Sequence, residues 1–397
     1  MNGEKRGYPG SSLACCGKHE GNACDHSARF VGWREKTIVS LFGPLLLLLS
    51  YYRCVKCGTS QKPWDQMLGL GRDSLTPAVS QLVSQAGVLT SFGEASDPTL
   101  KSMCGLHVSE STVQRTTESV GKRVRDLRDQ AETQGPSVEW EWQRDAEGCT
   151  CAYVSLDHTG VRQQGPDAAR ADGKMVPVAM VYNVCSDHDD RTPPPGQVRF
   201  LSGFYDLKDI GRHLRREAEA VGIMQADRQI ALSDGGSGLE DVLKTFFPNC
   251  VCILDFFHAK EHLVELAQSL YPTAESERKQ WLDRWCHQLK HEGGAAVLRS
   301  LKGMDLHEQS ATVQETHRRQ VTYFSNHHHR MDYPTYVAKG WQIGSGPVES
   351  ACKTVVGNRL KGGGMRWGEP GSDAVAMLRA LYLSEPACWK KLWSAPA

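Results

Sequence analysis

Three aspartates each close an apolar run that reads as a β-strand: Asp157 ends CAYVSLD, Asp234 ends RQIALSD and Asp255 ends CVCILD. In an open α/β sheet, chemistry gathers at the carboxyl ends of the strands. Any one of these acids is as readily the cap of a following helix. Three in one topology point instead to a shared site. Carboxylates packed together repel unless something positive lies between them, and hard oxygen ligands with open positions suit Mg²⁺ or Mn²⁺. Two such ions can clamp a phosphodiester for in-line attack by water or a 3′-hydroxyl. The glycines of SDGGSG leave Asp234 uncrowded. A fourth acid, Glu349, lies in the glycine-rich stretch GWQIGSGPVESACK. There Gly346 suits an N-cap, Pro347 the first helical position and Glu349 the third, where it meets free backbone N–H groups. On that stretch alone, Glu349 is a cap.

The elements that must position these acids follow from periodicity. CAYVSLD, KMVPVAMVYNV and QVRFLSGFYD read as three strands joined by Gly/Pro/Asp turns. LKDIGRHLRREAEAVG is a helix, RQIALSD a strand, GGSGLEDVLKTFF a helix, CVCILD a strand and FFHAKEHLVELAQSLY a helix. This succession predicts an α/β fold built on a mixed sheet with helices on both faces. Residues 272–340 carry no strand signal and read as a helical insertion, after which residues 341–385 resume with the helix of Glu349.

The chain has 397 residues, room for two or three domains, and its 46 basic residues balance 46 acidic ones. From Ser350 onward, however, seven Lys/Arg face three acids, a bias suited to a phosphate partner or to a solvated helix face. Residues 1–29 are polar and Gly/Ser-rich and read as flexible. The leucine run of IVSLFGPLLLLLSYY is shorter than the about 20 residues a membrane span needs and is broken by Gly43-Pro44, so it reads as buried strands. Fourteen cysteines without an apolar signal core read as cytosolic thiols or metal ligands. In residues 30–70, Cys54 and Cys57 form one knuckle of a zinc ribbon; Cys24 with His26, or Cys15 with Cys16, would supply the other. A pair of reduced thiols on a turn is the plain alternative. Residues 75–130 have a helical period, with Thr76 and Pro77 opening one helix, a turn at Gly105 and a cap near Ser109. Thr112, Gln114 and Arg115 then point outward, as in a DNA-binding helix-turn-helix or an ordinary helical hairpin.

YVSLDHTG, ALSDGGSGLEDV, LDFFHAKEHL and IGSGPVESACK…RLKGGGMRW, in this order and spacing, resemble a DDE transposase of a bacterial insertion sequence. The nearest likeness is to the Kra-type group, with a more distant one to Mutator-like transposases, and it spans residues from about 30 to 385. The resemblance implies an RNase H-like catalytic core over residues 150–271 and 341–385, cut by the 272–340 insertion, which contacts DNA. It implies Asp157, Asp234 and Glu349 as ligands of Mg²⁺ or Mn²⁺, with Asp255 and His258 as the family's (C/D)xxH pair. It further implies cleavage at element ends, transfer of the freed 3′-hydroxyl into target DNA, and a homo-oligomer on double-stranded DNA in a nucleoid-associated, cytoplasmic setting without a membrane. Arg359, Lys361 and Arg366 would meet phosphates. This chain departs from the family in ACDHS, where a CxxC is usual, and in LLLLL, where a charged strand is usual.

Two other readings compete. His258, Glu261 and His262 spell H-x-x-E-H, an inverted zinc-protease motif, but that leaves Asp157, Asp234 and GSGPVES unexplained. A transposase-derived DNA-binding protein without catalysis should have lost an acid, and none is missing.

Overall fold

A computed structural model describes residues 5–19, 21–70, 73–169, 171–184, 197–236 and 238–394. The chain divides into two compact units, Met1–Val120 with Trp393–Ala397, and Gly121–Leu392.

The first unit begins with short strands β1 (Lys5–Arg6), β2 (Ser12–Ala14), β3 (Lys18–His19) and β4 (Asn22–Ala23). Residues 5–29 are therefore largely structured rather than flexible; of the segment expected to be so, residues 1–4 and 20 lie outside the described residues. A long ribbon follows, β5 (Ser27–Ser40) and β6 (Gly43–Cys54), flanked by β7 (Ser60–Gln61), giving a sheet ordered β1-β6-β5-β2 with β7 on β6. The leucine run is thus a strand, but alternation sends Leu49 inward while Leu46 stays 44% exposed. It is half-buried, not buried. Helices α1 (Pro63–Met67), α2 (Pro77–Leu89) and α3 (Phe92–Glu94) lead to α4 (Glu110–Asp129). Thr76 caps α2 by accepting the Val79 N–H, and Ser109 accepts the Thr112 N–H before α4. Gly105, at φ +65°, makes the turn between helical segments.

In the second unit, β8 (Cys151–Val161), β9 (Lys174–Tyr182), β10 (Val198–Ser202), β11 (Arg228–Ser233) and β12 (Val251–Leu254) form one mixed sheet ordered β10-β9-β8-β11-β12. β10, β9 and β8 run antiparallel; β8, β11 and β12 run parallel. Between and after them lie α5 (Leu207–Ala220), α6 (Leu239–Phe246) and α7 (Phe256–Leu270). Alternate residues Ala152, Val154 and Leu156 of β8 join Ile210 and Leu214 of α5 and Leu239 and Leu243 of α6 in one apolar core. The intervening residues serve the other face, where Asp157 meets Cys352 and Tyr182 of β9, opposite Tyr153, donates to Gln342. Residues 272–340 supply α8 (Glu275–Glu292), α9 (Gly294–Lys302), α10 (Ala311–His327) and α11 (Tyr333–Ala338), with no strand. The chain ends in α12 (Gly346–Ala351), a π-helical stretch at Cys352–Gly357, α13 (Asn358–Leu360), α14 (Glu369–Leu383) and α15 (Pro386–Ser394).

One ion-pair group ties this unit together. Arg199 on β10 is fully buried and meets Glu217 of α5 at 3.0 Å and Glu385 at 2.6 Å. Removing the cation strands the buried Glu217 carboxylate, so Arg199→Met should lower the unfolding free energy by about 3–5 kcal/mol in urea titration. His213, buried on α5, faces the Tyr205 ring at 4.7 Å and Arg216 at 3.4 Å. Burial, aided by the charges of Arg128 and Arg216, pushes it down to about 4 from 6.5. Unfolding lets it take up a proton in that interval, so the unfolded state gains as the pH falls. The melting temperature should therefore drop between pH 6.5 and about 4, and His213→Gln should drop less over the same range.

Candidate functional site

β8 pairs with β11 up to Ser155 opposite Leu232. Two residues further along each strand, on the same face, stand Asp157 and Asp234. Asp157 does not end its strand as its sequence suggested: β8 runs on to Val161, because β9 continues to pair with it beyond the point where β11 stops. The acid lies at that step. Its Oδ1 accepts the His158 N–H at 2.6 Å and its Oδ2 accepts the Cys352 thiol at 3.5 Å. Burial pushes the Asp157 carboxyl up, and the Asp234 charge pushes the same way. Burial also pushes the Cys352 thiol up, keeping it a donor. Asp234 is half-buried, and its Oδ1 accepts the Gly236 N–H at 2.7 Å. A Cβ on Gly235 would lie 2.8 Å from the Tyr323 ring, and one on Gly236 would lie 2.7 Å from Asp234 itself. Both glycines are thus required by close approach.

Glu349 lies one helical turn before Cys352, so its helix stands beside Asp157. α12 starts one residue earlier than its sequence suggested: Ser345 is the N-cap and Gly346 the first helical residue, which makes Glu349 the fourth. Glu349 is exposed and accepts the Ser345 hydroxyl at 2.7 Å. It does not close a capping box. The ligand oxygens of Asp157, Asp234 and Glu349 are not all within 4.8 Å of one another.

Asp255 behaves differently from the other acids. It is 2% exposed and caps α7 through the N–H groups of Phe257 and His258. It also receives the Ser345 N–H at 3.0 Å and the Ser345 hydroxyl at 2.9 Å. A carboxylate offers about four lone-pair positions, and all are taken. Asp255 thus ties the first turn of α7 to the turn before α12 and has no oxygen left over for a metal.

The helical segment 272–340 reaches the second acid. Arg330, buried, donates to Ser233 Oγ at 2.7 Å and to the Asp234 carbonyl at 3.3 Å. Glu240 of α6 draws Lys244, His329 and Arg330, which together hold it down to about 2 against burial. The histidines at 327–329 are engaged: His329 meets Glu240 at 2.8 Å and His327 packs on Tyr323. His258 contacts Glu261 at 3.5 Å and lies near Tyr323, while His262 stacks on Tyr323 at 3.5 Å and meets Gln320. His258, Glu261 and His262 do not gather as a metal site. Tyr323, Arg330, Ser345 and Cys352 were not singled out in the sequence; Ser345 and Cys352 lie within GWQIGSGPVESACK, and no local signal marked Tyr323 or Arg330.

Of the basic residues, Lys361 and Arg366 are exposed, and Lys361 Nζ bonds Thr159 Oγ1. Arg359 is 2% exposed, its guanidinium 5.0 Å over the Trp367 ring. It cannot serve as the surface phosphate contact expected of it, because the turn at KGGGMRW folds Trp367 back over it. Gln114 and Arg115 are exposed on α4, and Thr112 is half-exposed. Gln114 donates to Glu118 and Arg115 to Asp73 at 2.7 Å.

In the first unit, Cys15, Cys24, Cys54 and Cys57 bring their sulfurs within 4.8 Å of one another. Cys15 and Cys57 are 3.3 Å apart, and Cys24 and Cys54 are 3.8 Å apart. Four sulfurs about 2.3 Å from a tetrahedral zinc lie about 3.8 Å from each other, so the cluster could bind a metal such as zinc. The Thr59 hydroxyl and N–H hold Cys57 down to about 6, whereas burial and the neighbouring thiols, against the Gly17 N–H, push Cys15 up to about 12. The second knuckle is Cys15 with Cys24, not Cys24 with His26 or Cys15 with Cys16, because the β3–β4 hairpin folds Cys24 back onto Cys15. His26 instead meets Asp25 at 2.5 Å, and only its carbonyl enters the knuckle; Cys24, Asp25 and His26 form a more exposed grouping.

No protein-family model matches the chain, and no curated protein matches its sequence. Among the described residues, no helix is long and apolar enough to cross a membrane. The purified chain should carry about one zinc by elemental analysis; Cys15→Ser or Cys57→Ser should lose it, and His26→Ala should keep it.

Proposed function

We propose that this chain is a DDE transposase of the insertion-sequence type, with an RNase H-like core and a zinc ribbon in its first unit. The observation that carries the reading is the placement of Asp157 and Asp234 two residues past the last paired positions of adjacent parallel strands, Ser155 and Leu232, with the helix of Glu349 brought against Asp157 through Cys352. The order β10-β9-β8-β11-β12, antiparallel then parallel, supports the same core. The donor set fits divalent cations: three carboxylates supply hard oxygens, and Asp157 is strained by burial and by the Asp234 charge in a way a cation would relieve. Mg²⁺ or Mn²⁺ held there would supply Lewis-acid activation of the attacking oxygen and charge stabilisation at the leaving one.

The reaction is an exchange of phosphodiesters. Water attacks the phosphorus at the element end and frees a 3′-hydroxyl; that hydroxyl attacks a target phosphodiester and displaces a 3′-oxygen. No nucleotide cofactor is needed. Asp157 and Asp234 would hold the cations from the sheet, and Glu349 would add the third carboxylate from α12. His258 lies on the α7 turn beside Tyr323, where it would orient DNA or protonate a leaving oxygen. Lys361 and Arg366 would hold phosphates without reading sequence. Thr112, Gln114 and Arg115 would read the element ends from α4. Joining two ends calls for a homo-oligomer assembled on DNA, in the nucleoid.

The test is cleavage and joining of a labelled duplex carrying the element's own ends, with Mg²⁺ or Mn²⁺. Wild type should nick and join, while Glu349→Gln should bind the duplex yet do neither. Equal cutting by both proteins would remove Glu349 from the site. Binding without cleavage by wild type would favour a non-catalytic DNA-binding descendant.

A further inference from the structure

We propose that Ser345 is a positioning residue for Glu349, transmitting the fixed geometry of the buried Asp255 carboxylate to the third acid. The inference rests on the three-acid reading above. Ser345 is the N-cap of α12, and a serine there ordinarily turns its hydroxyl to the N–H of the second or third helical residue. Here it makes no such bond. The hydroxyl is directed instead at two carboxylates, 2.9 Å from Asp255 Oδ2 and 2.7 Å from Glu349 Oε1. Ser345 is itself 4% exposed, and its N–H is anchored at 3.0 Å on Asp255 Oδ1. The backbone and side chain of one residue therefore grip one buried carboxylate and leave the hydroxyl facing another, exposed one.

A hydroxyl has one proton to donate, so Ser345 shares it between the two carboxylates. Donation to Glu349 selects one rotamer of a long, exposed side chain and aims its other oxygen outward. A cation on Glu349 would relieve that carboxylate of its need for the proton, and the hydroxyl would then serve the buried Asp255 alone. Ser345 would thus hold Glu349 in one orientation for a cation to meet. Groups of this kind, one step behind a metal ligand, typically set affinity by 10- to 100-fold.

The experiment is Mn²⁺ binding to the full chain, followed by the loss of the free-ion signal in electron paramagnetic resonance. Ser345→Ala should weaken binding by about 10-fold or more, and Ser345→Cys, with a weaker donor of similar volume, should fall between it and wild type. In a Glu349→Gln background, Ser345→Ala should have no further effect, since the two act on one ligand. That non-additivity separates positioning from a general loss of packing. Wild-type affinity in Ser345→Ala, or full additivity with Glu349→Gln, would overturn the proposal. If Ser345→Ala does not fold, Ser345→Cys carries the same comparison. Should Asp157→Asn and Glu349→Gln also leave Mn²⁺ binding unchanged, the three-acid reading itself falls. If those two abolish binding while Ser345 variants do nothing, only the role of Ser345 falls.

Discussion

A carboxylate taken out of water must find a donor for nearly every lone pair it carries, or the fold loses several kcal/mol. Asp255 meets that demand with four donors drawn from two places in the chain, the first turn of α7 and the turn before α12. The two segments are about ninety residues apart in sequence, separated by the whole helical segment 272–340. Because the buried charge cannot be left unpaired, the chain must return to the same spot after that excursion. The return delivers Glu349. The Phe256 N–H donating to the Ile343 carbonyl at 2.8 Å reinforces the same junction.

The helical segment is bound to the sheet by a comparable device. Arg330, buried at the end of α10, spends its guanidinium on the strand end that carries Asp234 and on Glu240. Tyr333 donates to the Leu254 carbonyl at 3.0 Å, one residue before Asp255. Tyr323 fills the space that Gly235 leaves open beside Asp234. The second acid is thus shaped from behind by residues of the helical segment, which links that segment to the site by packing as well as by sequence order.

Within the first unit the cysteine cluster plays the organising part. Cys24 and Cys54 are buried with Ala28 and Tyr52, so the thiols form the small core on which β2, β5 and β6 converge. A sheet this small has little apolar interior to hold it, and a bound cation would supply what its side chains do not.

Strand and helix periods, and the apolar runs ending in Asp157, Asp234 and Asp255, were legible in the sequence because they depend on local spacing: every strand and helix expected between residues 150 and 271 is present. The cap of α2 by Thr76 and the CxxC knuckle were legible for the same reason. Partnership was not. Nothing local distinguishes Asp255, saturated by donors from a distant turn, from Asp157, whose two oxygens each accept a single donor. Arg359 looked like its neighbours Lys361 and Arg366 until Trp367 folded over it. Cys15 could be matched with Cys24 only after a hairpin had brought them together. The sequence by itself determined which residues could carry charge, cap a helix or ligate a metal. The tertiary structure alone decided which of them remain available, because availability depends on how many donors and how much burial the rest of the chain brings to each one.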